Sequence, residues 1–147
     1  MIIDQGELLT GLTMRFVQQF VHAAVREDRL PGTVLIHEGE PATYFYTLVE
    51  GRVRLSIEEA RQKVYQVSHA GDAFGWSSLV GRDRYSATAE CLIPTALMKL
   101  DRNALWDLLE SDTYSGMIFF RNLSRILGNR LLKSYQIITD AVVEQPA

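Results

Sequence analysis

Three things are scarce in this 147-residue chain, and each scarcity removes a class of protein. There is one cysteine, Cys91, which leaves no internal disulfide framework and no cluster or zinc site that needs several thiolates. A lone small thiol in an apolar run is expected as a buried strand residue. There is no basic excess: 15 Lys and Arg stand against 18 Asp and Glu, a net charge of -3. Nucleic-acid binders carry the opposite, a clustered positive surplus, so no nucleic-acid partner is expected. No stretch approaches the roughly 18 apolar residues of a membrane span, and the opening MIIDQGELLT has no basic-then-apolar leader. A cytoplasmic protein without membrane contact is the expectation.

Catalytic patterns are equally thin. GWSSL has the serine of a nucleophile elbow, but Leu79 stands where the second glycine should be. His22, His37 and His69 lie far apart, without the spacing that sets two imidazoles on one metal, and His37 and Glu38 would face opposite sides of a strand. Neither an enzyme nor a metal site is expected.

What is present is a core. With 47% hydrophobic residues the chain can bury one compact interior, and a single domain is expected over residues 1–140, with a frayed tail at 141–147. Leu12, Phe16, Phe20 and Ala24 repeat at i, i+4, which predicts an amphipathic helix over residues 8–28 with His22 toward its polar side. Over residues 29–100 the texture changes to short runs such as TVLIHEG, YFYTLVEG, RVRLSI and TALMKL, with glycines near their ends. Seven or eight antiparallel strands joined by tight turns follow, a jelly-roll-like β-roll. Helical spacing returns over residues 101–140, with Asp101 as a cap, then a longer helix from Thr113 to Asp140. Its seam is Phe120, Leu123, Leu127, Leu131 and Ile138, and Gly128 permits a close approach.

One stretch carries the functional signal. Residues 74–88 read FGWSSLVGRDRYSAT: a glycine that lets backbone approach an anion, a tight turn that presents N–H groups, then a hydroxyl donor. This stretch resembles the phosphate-binding cassette of the cyclic-nucleotide-binding domain family, which includes the catabolite activator and fumarate-nitrate regulator superfamily. The matching residues are Phe74-Gly75-Trp76, Ser77 to Val80, and Tyr85-Ser86-Ala87-Thr88. LPGTVLIHEGEPATYFYTLVEGRVRL and LDRNALWDLLESD are similar to the family's opening strands and hinge, so the likeness spans about residues 29–138.

The resemblance implies a mainly β fold with flanking helices and a non-catalytic sensor or regulatory role. It also implies a ligand site built from Phe74, Gly75, Trp76, Ser77, Ser78, Leu79, Arg84, Tyr85, Ser86 and Ala87. In the family the third cassette position is a glutamate that accepts from the ribose hydroxyl, and an arginine grips the cyclic phosphate. Here Trp76 and Tyr85 hold those places. Losing an arginine–phosphate contact costs a few kcal/mol, so a cyclic nucleotide is a candidate ligand in a site that has departed from the pattern.

Three outcomes are open for that departure. Arg84 could supply the charge, although its place beside Tyr85 on a strand aims it away unless a bulge intervenes. The two rings could fill the vacated pocket. They could instead line a site for another small ligand, flatter or less charged. The resemblance further implies a homodimer through the C-terminal helix; Arg125, Arg130 and Lys133 interrupt its apolar pattern, so a strict coiled coil is not expected, and the helix could fold back on its own roll instead. DNA-binding members continue into a winged helix-turn-helix domain. This sequence ends at Ala147, and regulation through an unidentified protein partner is the expectation. The rival reading is a ligand-free dimeric interaction scaffold.

Overall fold

The computed structural model describes residues 6–57 and 62–144. Helix α1 spans Met14–Ala23, shorter than the 8–28 expected from the apolar stripe. Gly11, at φ +83°, breaks the chain direction first, and the Thr13 side chain then accepts from the Phe16 N–H to start the helix. Leu8 and Leu9 are buried all the same, in a turn whose carbonyls are held from across the molecule: the Asn122 amide donates to Leu8 O and Thr10 O, each at 2.9 Å. At the other end Ala24 is extended, and Val25–Arg29 forms strand β1 against residues 95–99. A sheet ladder has overridden the helical stripe there.

The remaining strands are β2 (Val34–Ile36), β3 (Tyr44–Glu50), β4 (Val53–Ile57), β5 (Gln62–Val67), β6 (Ala73–Phe74), β7 (Thr88–Cys91) and β8 (Thr95–Asp101). They pair antiparallel in two four-stranded sheets, β1-β8-β3-β6 and β2-β7-β4-β5, which is the roll read from the short, glycine-punctuated runs. The β3–β4 turn shows why glycine is needed: Gly51 sits at φ +118°, and a Cβ on it would lie 2.5 Å from Thr95 Oγ1. Between the sheets lie Ile36, Tyr46, Leu48, Val53, Phe74, Ala89, Cys91 and Leu97. Cys91 is thus the buried strand thiol expected, and burial pushes its pKa up.

Helix α2 (Arg102–Ser111) begins where Asp101 caps it, its carboxylate accepting from the N–H groups of Asn103 and Ala104 at 2.9 and 3.0 Å. Helix α3 spans Thr113–Glu144, so residues 141–144 are helical where a frayed tail was expected; residues 145–147 lie outside the described ones. No breaker occurs before Pro146. A second core under the helices gathers Phe16, Phe20, Phe45, Leu100, Leu105, Phe119 and Leu123. The seam of α3 divides: Leu123 is buried and Leu127 half-buried on the roll, whereas Leu131 and Ile138 are 51% and 60% exposed.

Candidate functional site

The cassette starts where β6 runs into Gly75, left-handed at φ +72°. A Cβ there would stand 3.0 Å from Tyr44 O and 3.2 Å from Tyr46 Cδ2, so only glycine lets the chain turn this close to β3. A single 3-10 turn follows at Trp76–Ser78. Ser78 N donates within the turn to Gly75 O at 3.3 Å, and Leu79 N, just after it, to Trp76 O at 2.9 Å. The Ser78 hydroxyl also turns inward, donating to Gly75 O at 2.7 Å. Across the turn the hydroxyl oxygens of Ser77 and Ser86 are 3.5 Å apart.

Tyr85 is the residue at the position where the resemblance implies an arginine. It is 7% exposed, and its hydroxyl makes two bonds to one residue, donating to Tyr44 O at 2.7 Å and accepting from Tyr44 N at 2.9 Å. Burial pushes its phenol pKa up. The ring therefore latches the first residue of β3 from within. Beside the ring lies a void of about 30 Å³ walled by Ile36, Gly75, Ser77 and Tyr85, room for a water molecule or so.

Replacing Tyr85 with Phe tests the latch: with the hydroxyl gone, two polar groups of Tyr44 lose their partner at a part-buried site. A loss of about 1–3 kcal/mol is expected, with Tm falling by roughly 2–10 °C in calorimetry. An unchanged Tm would mean that water satisfies Tyr44 as well as Tyr85 does.

Beyond the indole of Trp76 lies a much larger cavity of about 410 Å³, between the sheet face of β4 and β5 and helix α3. Leu55, Ile57, Tyr65, Trp76, Leu127 and Leu131 give it an apolar lining, with the hydroxyls of Ser86 and Ser134 at its wall. Leu55, Trp76, Ser86 and Ala87 border both spaces, so they form the partition between them.

Arg130 also reaches this wall, from α3. Its Nη2 donates to Ala73 O at 2.6 Å, and its guanidinium lies 4.4 Å from the centroid of the Tyr65 ring. Its Nε is buried with no hydrogen-bond partner, and among the described residues no carboxylate comes within 4.0 Å of it. Burial pulls its pKa down from the ordinary arginine value.

The expected site residues therefore separate. Gly75, Trp76, Ser77, Tyr85, Ser86 and Ala87 come together at the two spaces. Phe74 does not: it is buried, stacked on Tyr46 with centroids 5.0 Å apart. Leu79 is buried in the core under the helices, and Ser78 faces its own turn. Arg84 is corrected as a stand-in charge. It is exposed, forms an isolated bridge with Pro41 and donates to Gly39 O at 2.7 Å, so it lines neither space; it lies before β7 and not on a strand. The α3 wall was missed; the cation of Arg130 interrupting an apolar seam was the signal for it. Among the described residues no group of three or more His, Cys, Asp or Glu is placed to hold a metal ion, and no helix is long and apolar enough to cross a membrane.

Comparison with known proteins agrees with this architecture. The family model of the cyclic nucleotide-binding domain matches residues 27–112. Among solved structures, a cyclic nucleotide-binding domain from Methylobacillus flagellatus superposes with a TM-score of 0.79 at 21% identity, over 96% of this chain and 82% of that one. The catabolite activator protein of Thermus thermophilus gives a TM-score of 0.73 at 21% identity, over 94% of this chain and 63% of its own. CLP of Xanthomonas campestris, described as a c-di-GMP responsive global regulator, gives 0.74 at 15% identity, over 86% of this chain and 63% of its own. At these identities the likenesses establish the fold. No curated protein matches the sequence.

Proposed function

The chain belongs to the cyclic nucleotide-binding domain family, and from that premise we propose that it is a non-catalytic sensor module whose ligand sits beyond the cassette, in the cavity between the roll and α3. The observation that carries this is the contrast in space: about 30 Å³ beside the Tyr85 ring, against about 410 Å³ next to it. The larger volume falls in the range of small-molecule sites. Ordinary cyclic AMP or cyclic GMP is not the ligand, because neither the glutamate nor the arginine of the cassette is there to receive it. CLP, with the same fold, is described as responsive to c-di-GMP, which supports a ligand range in this architecture wider than one nucleotide.

Trp76 and α3 both wall that cavity, so occupancy can bias the cassette turn and the helix together. The shift is limited by the ligand's differential affinity for the two arrangements. Leu131 belongs both to the cavity wall and to the exposed face of α3, which links occupancy to self-association through that face. The same exposed face favours a second reading, a ligand-free dimeric scaffold acting on a protein partner.

A thermal-shift screen separates them. Cyclic AMP, cyclic GMP and c-di-GMP are tested at millimolar concentration beside a library of small metabolites, with Trp76→Ala as control. A ligand at a hundred times its Kd stabilises by about 2.7 kcal/mol, a rise of roughly 5–10 °C. The expected result is no rise with cyclic AMP or cyclic GMP and a saturable rise with another compound that Trp76→Ala diminishes. A saturable response to cyclic AMP abolished by Ser86→Ala would return the site to the cassette, and no response to any compound would select the scaffold.

A further inference from the structure

We propose that the cavity beyond Trp76 takes an organic anion with a flat apolar body and a carboxylate head, and that Arg130 supplies the charge it binds. This rests on the cavity reading above and names the ligand class. The first step is an imbalance of charge. A guanidinium removed from water needs a counter-charge or a full set of acceptors. Arg130 has two neutral partners, the carbonyl Ala73 O at 2.6 Å and Tyr65, which offers its ring face and a side-chain hydrogen bond, while its Nε is buried without an acceptor and no described carboxylate forms an ion pair with it. Asp72 is close enough to favour the cation electrostatically but outside ion-pair distance. A carboxylate meeting the guanidinium from the cavity would supply the counter-charge this environment lacks.

The second step is the chemistry of the remaining wall. Trp76, Leu55, Ile57 and Leu127 offer apolar and aromatic surface, and the two serine hydroxyls are its neutral polar side-chain groups besides the Tyr65 phenol. A ribose or a purine edge would leave its own donors and acceptors unpaired against these groups, at a cost that disfavours a nucleotide. A planar hydrocarbon body gains from the same surface and can stack on the indole. The charged end would also meet the atom network that joins the helix to the cassette, since Ala73 precedes Phe74 and Gly75. An anion competing for the guanidinium would loosen the Arg130 to Ala73 bond and so act on the cassette turn from the side of α3.

The test uses two compounds of the same shape, 2-naphthoate and the neutral 2-naphthamide, titrated calorimetrically into the wild-type chain, Arg130→Gln and Trp76→Ala. Binding of naphthoate about tenfold or more tighter than naphthamide is expected for wild type. In Arg130→Gln the preference should vanish while naphthamide binding persists, and Trp76→Ala should weaken both compounds. Because the charge preference is read on the wild type, the proposal does not depend on the variant folding. Equal affinity of the two compounds for wild type overturns the charge assignment and leaves the cavity reading standing, as does a preference that survives in a folded Arg130→Gln. No saturable binding of either compound overturns both.

Discussion

Phe119→Ala is expected to be the most damaging single change, costing about 3–5 kcal/mol. The ring is fully buried and is the meeting point of three elements: its centroid lies 6.3 and 6.2 Å from Phe16 and Phe20 of α1, 6.1 Å from Phe45 of β3 and 5.7 Å from Phe120 beside it. Truncation removes burial for one ring and partners for four others, and the surrounding rings cannot collapse inward without leaving their rotamers. Against the 5–15 kcal/mol that separates folded from unfolded domains, about 4 kcal/mol is a large share. Urea denaturation read by circular dichroism should show a midpoint lowered with little change in slope. A loss below about 1 kcal/mol would mean that α1 and α3 hold to the roll by other contacts. The consequence reaches the site, because the part of α3 that walls the cavity is seated on the roll by Phe119 and Leu123.

A double substitution, Tyr135→Glu with Ile138→Glu, is expected to abolish self-association while leaving the fold intact. Leu131, Tyr135, Ile138 and Val142 are spaced 4, 3 and 4 apart on α3 and are 51%, 54%, 60% and 67% exposed. Sustained alternation of that kind keeps one face toward a partner helix. The cations that appeared to break the pattern do not fall on this face. Arg130 turns inward to Ala73 O, and Arg125 donates to Asn122 Oδ1 at 2.8 Å. The stripe continues toward the N-terminus through Gly128, where a Cβ would meet nothing within 4 Å, so a neighbouring helix has room to approach. Light scattering of the wild type should give twice the chain mass of 16.7 kDa, and the double variant a mass near 16.7 kDa. Burying an uncompensated carboxylate costs about 3–5 kcal/mol, enough to weaken association by roughly 100-fold or more per site. A wild type that stays at 16.7 kDa at every concentration, or a double variant that remains dimeric, would refute the pairing.

The roll was legible because strand signals are local. Short β-branched and aromatic runs ended by Gly39, Gly51 and Gly71 could be read without knowing what they paired with, and those glycines do take positive φ. The Asp101 cap was legible for the same reason. The N-terminal boundary was not: Val25 to Arg29 continues a helical stripe, and only the edge of β8, about seventy residues away in sequence, draws it into a sheet. The cassette was readable as a motif; Arg84 does turn away, but from an isolated bridge before β7 and not by alternation along a strand. The destination of Tyr85 was not readable, since its hydroxyl meets Tyr44 backbone 41 residues upstream. Arg130 escaped for a related reason: an isolated cation in a helix reads as a solvated face until the roll beneath it is known.

Tyr85 also constrains which single substitutions the cassette can accept. Its two bonds to Tyr44 make the closed cassette a property of the polypeptide alone. An arginine placed at that position would forfeit the latch and would point its charge at a space of about 30 Å³ still bordered by the indole of Trp76. A glutamate placed at position 76 alone would find the Tyr85 ring, not a cation, bordering that space. Substitutions at positions 76 and 85 are therefore expected to be coupled, because both rings border the same space of about 30 Å³ and a change in one alters what the other packs against.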